Sequence, residues 1–191
     1  MKGKSQVDVV CALPGVARTD PDYYAAMIMN FVLGGGSLSS RLMDSLRDKM
    51  GLVYGVYSSL SAGIGAGPIH IRAGTNPSNA DRTADEMLAQ VKRMRETGPT
   101  EIELDEAVSY LTGVFPVRLE TNSGVASQLL AAELYRLGMD YIERYPSIIR
   151  GVPLEDVREA ARKYLGLTGY ALGIAGSYPA EPPAPGDPSG S

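Results

Sequence analysis

Cysteine and histidine are almost missing from this sequence: Cys11 and His70 are the only residues of either kind among 191. One cysteine excludes an intramolecular disulfide and any cysteine-rich zinc site. One histidine leaves a histidine-based zinc site short of ligands unless carboxylates replace them, an uncommon arrangement. Both residues read better as fold residues. Cys11 lies in an alternating apolar run, as a small buried hydrophobe does. His70 alternates with Ile69 and Ile71 in "GPIHIRAGT", the position of a residue on a sheet face. Long apolar runs are missing too, so nothing approaches the ~18 residues that a membrane-spanning helix needs. A basic excess is missing as well. With 18 Lys and Arg against 22 Asp and Glu, the formal charge is −4. No basic cluster offsets it, which excludes nucleic acid as the main partner, because neutralising phosphates takes a basic face.

What is present suits an ordinary soluble globular domain: 44% of residues are hydrophobic and 21% charged. The amino terminus, "MKGKSQVDVVCALPG", enters a strand almost at once and lacks signal-peptide architecture. That start looks like a domain cut from a longer chain or a naturally short subunit; a bacterial cytoplasm or periplasm is the expected compartment. Residues 6–13 alternate as a strand. "TDPDYYAAMIMNFVLGG" reads as a helix capped by Asp20 or Thr19, with Pro21 in its first position and Gly34 at its end. A second helix is expected from Ser37–Ser40 to Met50, with Leu38, Leu42, Leu46 and Met50 as its apolar stripe and Gly51 as its terminator. Strands at 52–61 and 67–75 follow, joined by "SAGIGAG".

The rest is mostly helical. "NADRTADEMLAQVKRMRETG" stops at Gly98, and "TEIELDEAVSYLTGVF" opens with a capping box of Thr100 and Glu103 and ends or kinks at Pro116. "NSGVASQLLAAELYRLG" ends at Gly138. Two shorter helices occupy about 140–150 and 154–165, and a final strand, "GYALGIAG", returns to the early sheet. The expected fold is α+β: one mostly antiparallel (mixed) sheet with helices mainly on one face. Residues 1–177 form a single domain in this reading, and 178–191, rich in Pro, Gly and Ser, form a disordered tail or linker stub.

One stretch carries more than fold information: "LGGGSLSSRLMDSLRDKMGLVYGVYSSL", residues 33–60. Three glycines precede a helix, yet the segment is neither a P-loop nor a dinucleotide fingerprint, since it lacks Gly-Lys-Ser/Thr and joins two helices. An anion site there would need a cation, and Arg41 is the nearby candidate unless it pairs with Asp44 or Asp48. Arg47 falls in the last turn of the helix, where a cation suits the helix dipole. In a regular strand Leu52, Tyr54, Val56 and Ser58 share one face, and Val53, Gly55, Tyr57 and Ser59 the other. Only one of Tyr54 and Tyr57 can then join Arg47. Such a pair of donors can hold a carbonyl oxygen or an oxyanion, and it cannot generate a nucleophile.

This stretch, together with "TGPTEIELDEAVSYL", "VPLEDVREAARKYL" and "YALGIAGSYP", closely resembles the non-catalytic domain of the insulinase-like zinc peptidases, the family of pitrilysin and the mitochondrial processing peptidase. The resemblance covers nearly the whole chain and implies a LuxS/metallohydrolase-like fold. It also implies an active site shared between two similar domains. One carries zinc on an H-x-x-E-H motif, where the Glu activates water. The other lacks metal and contributes an arginine and a tyrosine seven residues apart, the spacing of Arg47 and Tyr54. Their implied role is to hydrogen-bond substrate backbone and oxyanion. Gly34, Gly35 and Gly36 are implied as a shorter counterpart of a substrate-guiding glycine-rich loop.

With one histidine this chain cannot hold H-x-x-E-H, so it is expected to be inactive alone and to carry no metal or other cofactor. The resemblance implies a catalytic zinc domain or subunit as partner and extended or unfolded peptides as substrates. It leaves the isolated domain to self-associate as a homodimer through the face meant for its other half. Respiratory-chain core subunits share the fold without being peptidases, which makes an inactive assembly subunit the alternative.

Overall fold

The computed structural model describes residues 6–176. Four strands, β1 (Val7–Pro14), β2 (Val53–Leu60), β3 (Pro68–Thr75) and β4 (Ala171–Ala175), make one sheet in the order β2-β3-β1-β4. Every pairing is antiparallel, so the sheet is not mixed. The alternation in the sequence sets its two faces. Val7, Val9, Cys11 and Leu13 of β1 and Ile69, Ile71 and Ala73 of β3 are buried on one side. Asp8, Val10, His70, Arg72 and Gly74 occupy the intervening positions, on the opposite face. Burial pushes the Cys11 thiol up to about 11, which keeps it protonated and unreactive at neutral pH.

The helices are α1 (Tyr23–Asn30), α2 (Ala80–Thr97), α3 (Glu101–Arg118), α4 (Asn122–Leu134), α5 (Tyr141–Arg150) and α6 (Leu154–Tyr164), with two π-helical segments, Phe31–Gly35 and Met43–Lys49. α2 lies across β1 and β3, α1 and the first π-segment meet β2, and α6 packs on both α1 and α2. α3 packs with α5. The final strand joins the sheet beside β1, as expected, and the capping box of Thr100 and Glu103 is present. No helix among the described residues is long and apolar enough to cross a membrane. The expected tail, 178–191, lies outside the described residues.

Several local expectations fail for identifiable reasons. The first helix begins at Tyr23 rather than at Pro21, because Asp20–Tyr23 closes a turn (Tyr23 N to Asp20 O, 3.0 Å). Gly34 does not end that helix: the chain continues in π-winding through Gly35. In the second helix Leu42 and Leu46 are buried, whereas Leu38 and Met50 are exposed. Leu38 sits in a separate 3-10 turn, and π-winding, with Met50 N bonded to Ser45 O at 3.1 Å, breaks the i+4 stripe. α3 runs through Pro116 to Arg118; the proline comes in the last turn, where it ends nothing. α4 stops at Leu134, short of Gly138, and buries only Ala132. Leu129, Leu130 and Leu134 face solvent.

Candidate functional site

β2 is an edge strand, and its start is irregular. Val53 pairs with Thr75, but the next rung is Gly55 with Gly74, so Tyr54 is an extra residue in the ladder, a β-bulge. The bulge shifts the alternation by one. Val53 and Val56 both face the core, and Tyr54 (67% exposed) and Tyr57 (50% exposed) both face outward. The expectation that only one of the two tyrosines can serve a common site is therefore wrong. The regular-strand rule it used does not survive an inserted residue.

Arg47 lies on the Met43–Lys49 helix that leads into β2 through a tight turn. Gly51, at φ 61°, adopts the left-handed conformation that closes the helix. Leu52 N then bonds to Leu46 O at 2.8 Å, folding β2 back against the Met43–Lys49 helix. Arg47 is exposed. Its cationic neighbours are occupied: Lys49 pairs with Asp44 at 2.6 Å, and Arg41 grips Glu103 with Nε and Nη2, both at 2.6 Å. Among the described residues Arg47 has no acidic partner within ion-pair distance.

A recess of about 630 Å³ opens along β2, lined by Tyr54, Gly55, Tyr57, Arg72 and Gly74, with Met43, Gly34 and Gly35 at its outer end. The structure thus brings Tyr54, Gly34 and Gly35 together; Arg47 and Gly36 stand outside the lining. Gly34 is buried, and a Cβ there would lie 2.7 Å from both Ser58 N and Ser58 Oγ, so this glycine lets the helix end meet β2. Beside it, Asn30 O accepts from Ser58 Oγ at 3.1 Å, while the buried Asn30 Oδ1 has no partner among the described residues.

Arg41 cannot serve an anion at the glycine turn. Glu103, 62 positions away, takes its fork in place of Asp44 or Asp48, and Gly98 O accepts a third bond at 2.8 Å. Burial pushes the Glu103 carboxyl up, but Arg41 and the Thr100 amide (2.8 Å) outweigh it and hold the carboxyl below its usual value. This ion pair contributes stability that is complete above about pH 4.5 and is lost as the pH falls through the lower folded value. Glu103→Gln is expected to flatten that acid limb in urea titrations across pH 2.5–6 and to lower stability at neutral pH. An unchanged acid limb would show that the pair is inert.

Sequence reasoning missed Arg72 and Asp8. Arg72 Nη2 and Nε lie 3.0 and 3.3 Å from the Asp8 carboxylate on the open sheet face. Asp8, and after it the Tyr57 phenol, hold the guanidinium protonated still more firmly than usual. The available signal was a lone charge at an outward position in each of two apolar strands. No group of three or more His, Cys, Asp or Glu among the described residues could hold a metal.

The family described as the peptidase M16 inactive domain matches residues 1–111. The chain belongs to that family. It is 33% identical over 161 residues to an uncharacterized zinc protease of Streptomyces coelicolor, covering 84% of this chain and 35% of that protein. It is 37% identical over 105 residues to a non-peptidase homolog of Helicobacter pylori, covering 53% of this chain and 23% of that one. Among solved structures, a peptidase M16 inactive domain from Pseudomonas fluorescens superposes with a TM-score of 0.85 at 32% identity, over 94% of this chain and 42% of that one. The M16 chain described here thus spans well under half the length of these relatives. The expected family and the α+β fold are both confirmed.

Proposed function

We propose that this M16 inactive domain is the substrate-holding half of a zinc peptidase. Arg47 and Tyr54 donate hydrogen bonds to an extended peptide whose cleavage is carried out by a separate catalytic domain or subunit. The observation that supports this reading is an exposed guanidinium left without an acidic partner among the described residues, and a phenol lifted outward by a bulge seven positions later. Two donors suit a carbonyl oxygen, and suit still better the oxyanion it becomes, since charge strengthens both bonds. Zinc and the water-activating glutamate would come with the catalytic half, because no group of ligands among the described residues could hold the metal. Leucines exposed on α4 are consistent with a domain that works beside another.

The test is hydrolysis of a quenched fluorescent peptide with zinc, by this chain alone and by this chain mixed with an H-x-x-E-H half. Activity only in the mixture is the expected result; activity from the chain alone would overturn the reading. The likeness to a non-peptidase homolog favours a second reading, an inactive assembly subunit. A stable mixture that hydrolyses nothing would select it.

A further inference from the structure

The recess on β2 is lined on the sheet by two glycines, Gly55 and Gly74, and one of them, Gly55, carries nothing above it. The bulge sets Gly55 opposite Gly74, and Gly74 also faces Asp8 across β1, so two glycines meet on the open face of the sheet. The fold does not require the first of them. A Cβ on Gly55 would meet nothing within 4 Å, and its φ lies outside the left-handed region. At Gly74 the space is taken: a Cβ there would collide with Gln6 Nε2, so the Gln6 amide lies over this glycine. A strand interior ordinarily gains from a side chain, so a glycine with free space above it marks a place where something approaches the backbone.

The walls state what that something is. Tyr54 and Tyr57 stand on either side of Gly55, both exposed. Arg72 and Asp8 form the far wall, and their pairing at 3.0 Å leaves it without net charge. An acidic side chain would find Arg72 already matched, and a basic one would find Asp8 matched. What remains is two exposed tyrosines, the bare backbone at Gly55, the neutral Gln6 amide and the plane of a guanidinium, all of which take a flat neutral ring. We propose that this recess receives an aromatic side chain of the extended peptide, next to the backbone held by Arg47 and Tyr54. The proposal rests on the substrate-holding reading and adds a specificity site to it.

Binding of extended peptides needs no metal, so the chain itself can be tested. The probes are fluorescein-labelled octapeptides of alanine and serine with one central Phe, Ala, Glu or Lys, followed by fluorescence anisotropy. The Phe peptide is expected to bind about tenfold or more tighter than the other three, on the area a buried ring removes from water. Gly55→Val is expected to fill the space above that glycine, bring Phe down to the level of Ala and leave the thermal midpoint unchanged. Tyr57→Ser, which alters only an exposed side chain, is the second variant and should also shrink the Phe advantage.

Tighter binding of the Glu or Lys peptide would overturn the proposal, because the recess would then read charge. So would a Phe advantage that survives both variants. Equal affinity for all four peptides, weakened throughout by Arg47→Ala, would remove the aromatic site and leave the backbone reading intact. No binding of any peptide would remove both.

Discussion

Arg47→Ala is expected to lower turnover by the assembled peptidase about a hundred- to a thousandfold, the usual cost of losing one oxyanion donor. The fold should barely notice. Arg47 is exposed and has no acidic partner among the described residues, and surface changes of this kind stay within about 0.5 kcal/mol. Tyr54→Phe is the milder companion: it keeps the ring over the bulge and removes one hydroxyl donor, which costs about ten- to a hundredfold if that donor meets developing charge. The kinetic split tells how the pair acts. A fall in kcat with KM unchanged places its hydrogen bonds in the transition state, whereas a rise in KM alone places them on the bound peptide. Wild-type activity in both variants, measured on the same mixture and at the same zinc concentration, would end the assignment. The pair would then be a helix-terminal cation and an exposed strand residue, as local structure alone already explains.

The largest effect on stability is expected at Arg18, a residue remote in character from the site. Its side chain is buried at 8% exposure, and no carboxylate pairs with it among the described residues. Four tyrosines hold it instead. The guanidinium carbon lies 4.0 Å from the centre of the Tyr23 ring, 5.2 Å from Tyr24, 5.7 Å from Tyr135 and 5.5 Å from Tyr141. Nη2 donates to Tyr141 Oη at 2.8 Å, and the Arg18 backbone amide donates to Gly63 O at 2.9 Å. Burial works against the charged form, yet the tyrosines outweigh it and keep the guanidinium protonated, while burial pushes the Tyr141 phenol up so that it stays neutral.

This one side chain joins the segment after β1 to α1, to the end of α4 and to α5. Arg18→Ala removes the charge from a cage built around it and opens a void. A loss of about 3 kcal/mol is expected, within the range for breaking a buried polar cluster. For a domain of this size that lowers Tm by about 6–12 °C. Arg18→Lys should lose less than Arg18→Ala, because it keeps the charge but not the plane that stacks on Tyr23. Denaturant titration of the three proteins checks the order. Equal stability of Arg18→Ala and wild type would mean that the tyrosines close over the gap unaided.

Some of this was open to reading in the linear chain. "VDVVCAL" and "IHIRAGT" announce strands by their alternation, and the buried Cys11 and half-buried His70 follow from it. Thr100 and Glu103 announce a helix start, because both partners of a capping box lie within one turn. The spacing of Arg47 and Tyr54 was likewise visible. These features depend on neighbours a few residues apart, and local geometry decides them.

What escaped depends on partners far along the chain. The bulge at Tyr54 exists only because β3 pairs with Val53 and then with Gly55. A period of two cannot reveal an inserted residue, so Tyr57 was put on the wrong face. π-winding in Met43–Lys49 likewise takes Met50 out of a stripe that i+4 counting supports. Arg41 finds Glu103 62 positions away, ahead of the acids on its own helix.

By itself, then, the sequence determined the class of fold, the family it resembles, the lack of an H-x-x-E-H motif and the two donor residues to test. Tertiary structure alone decided that Tyr54 and Tyr57 share the outward face, which cations near Arg47 are already neutralised, and that Gly55 lies opposite Gly74 between the two tyrosines. The reason is physical. Local signals report the conformational preferences of consecutive residues, whereas register, ion pairing and bare surface are settled only when strands and helices distant in the chain are brought into contact.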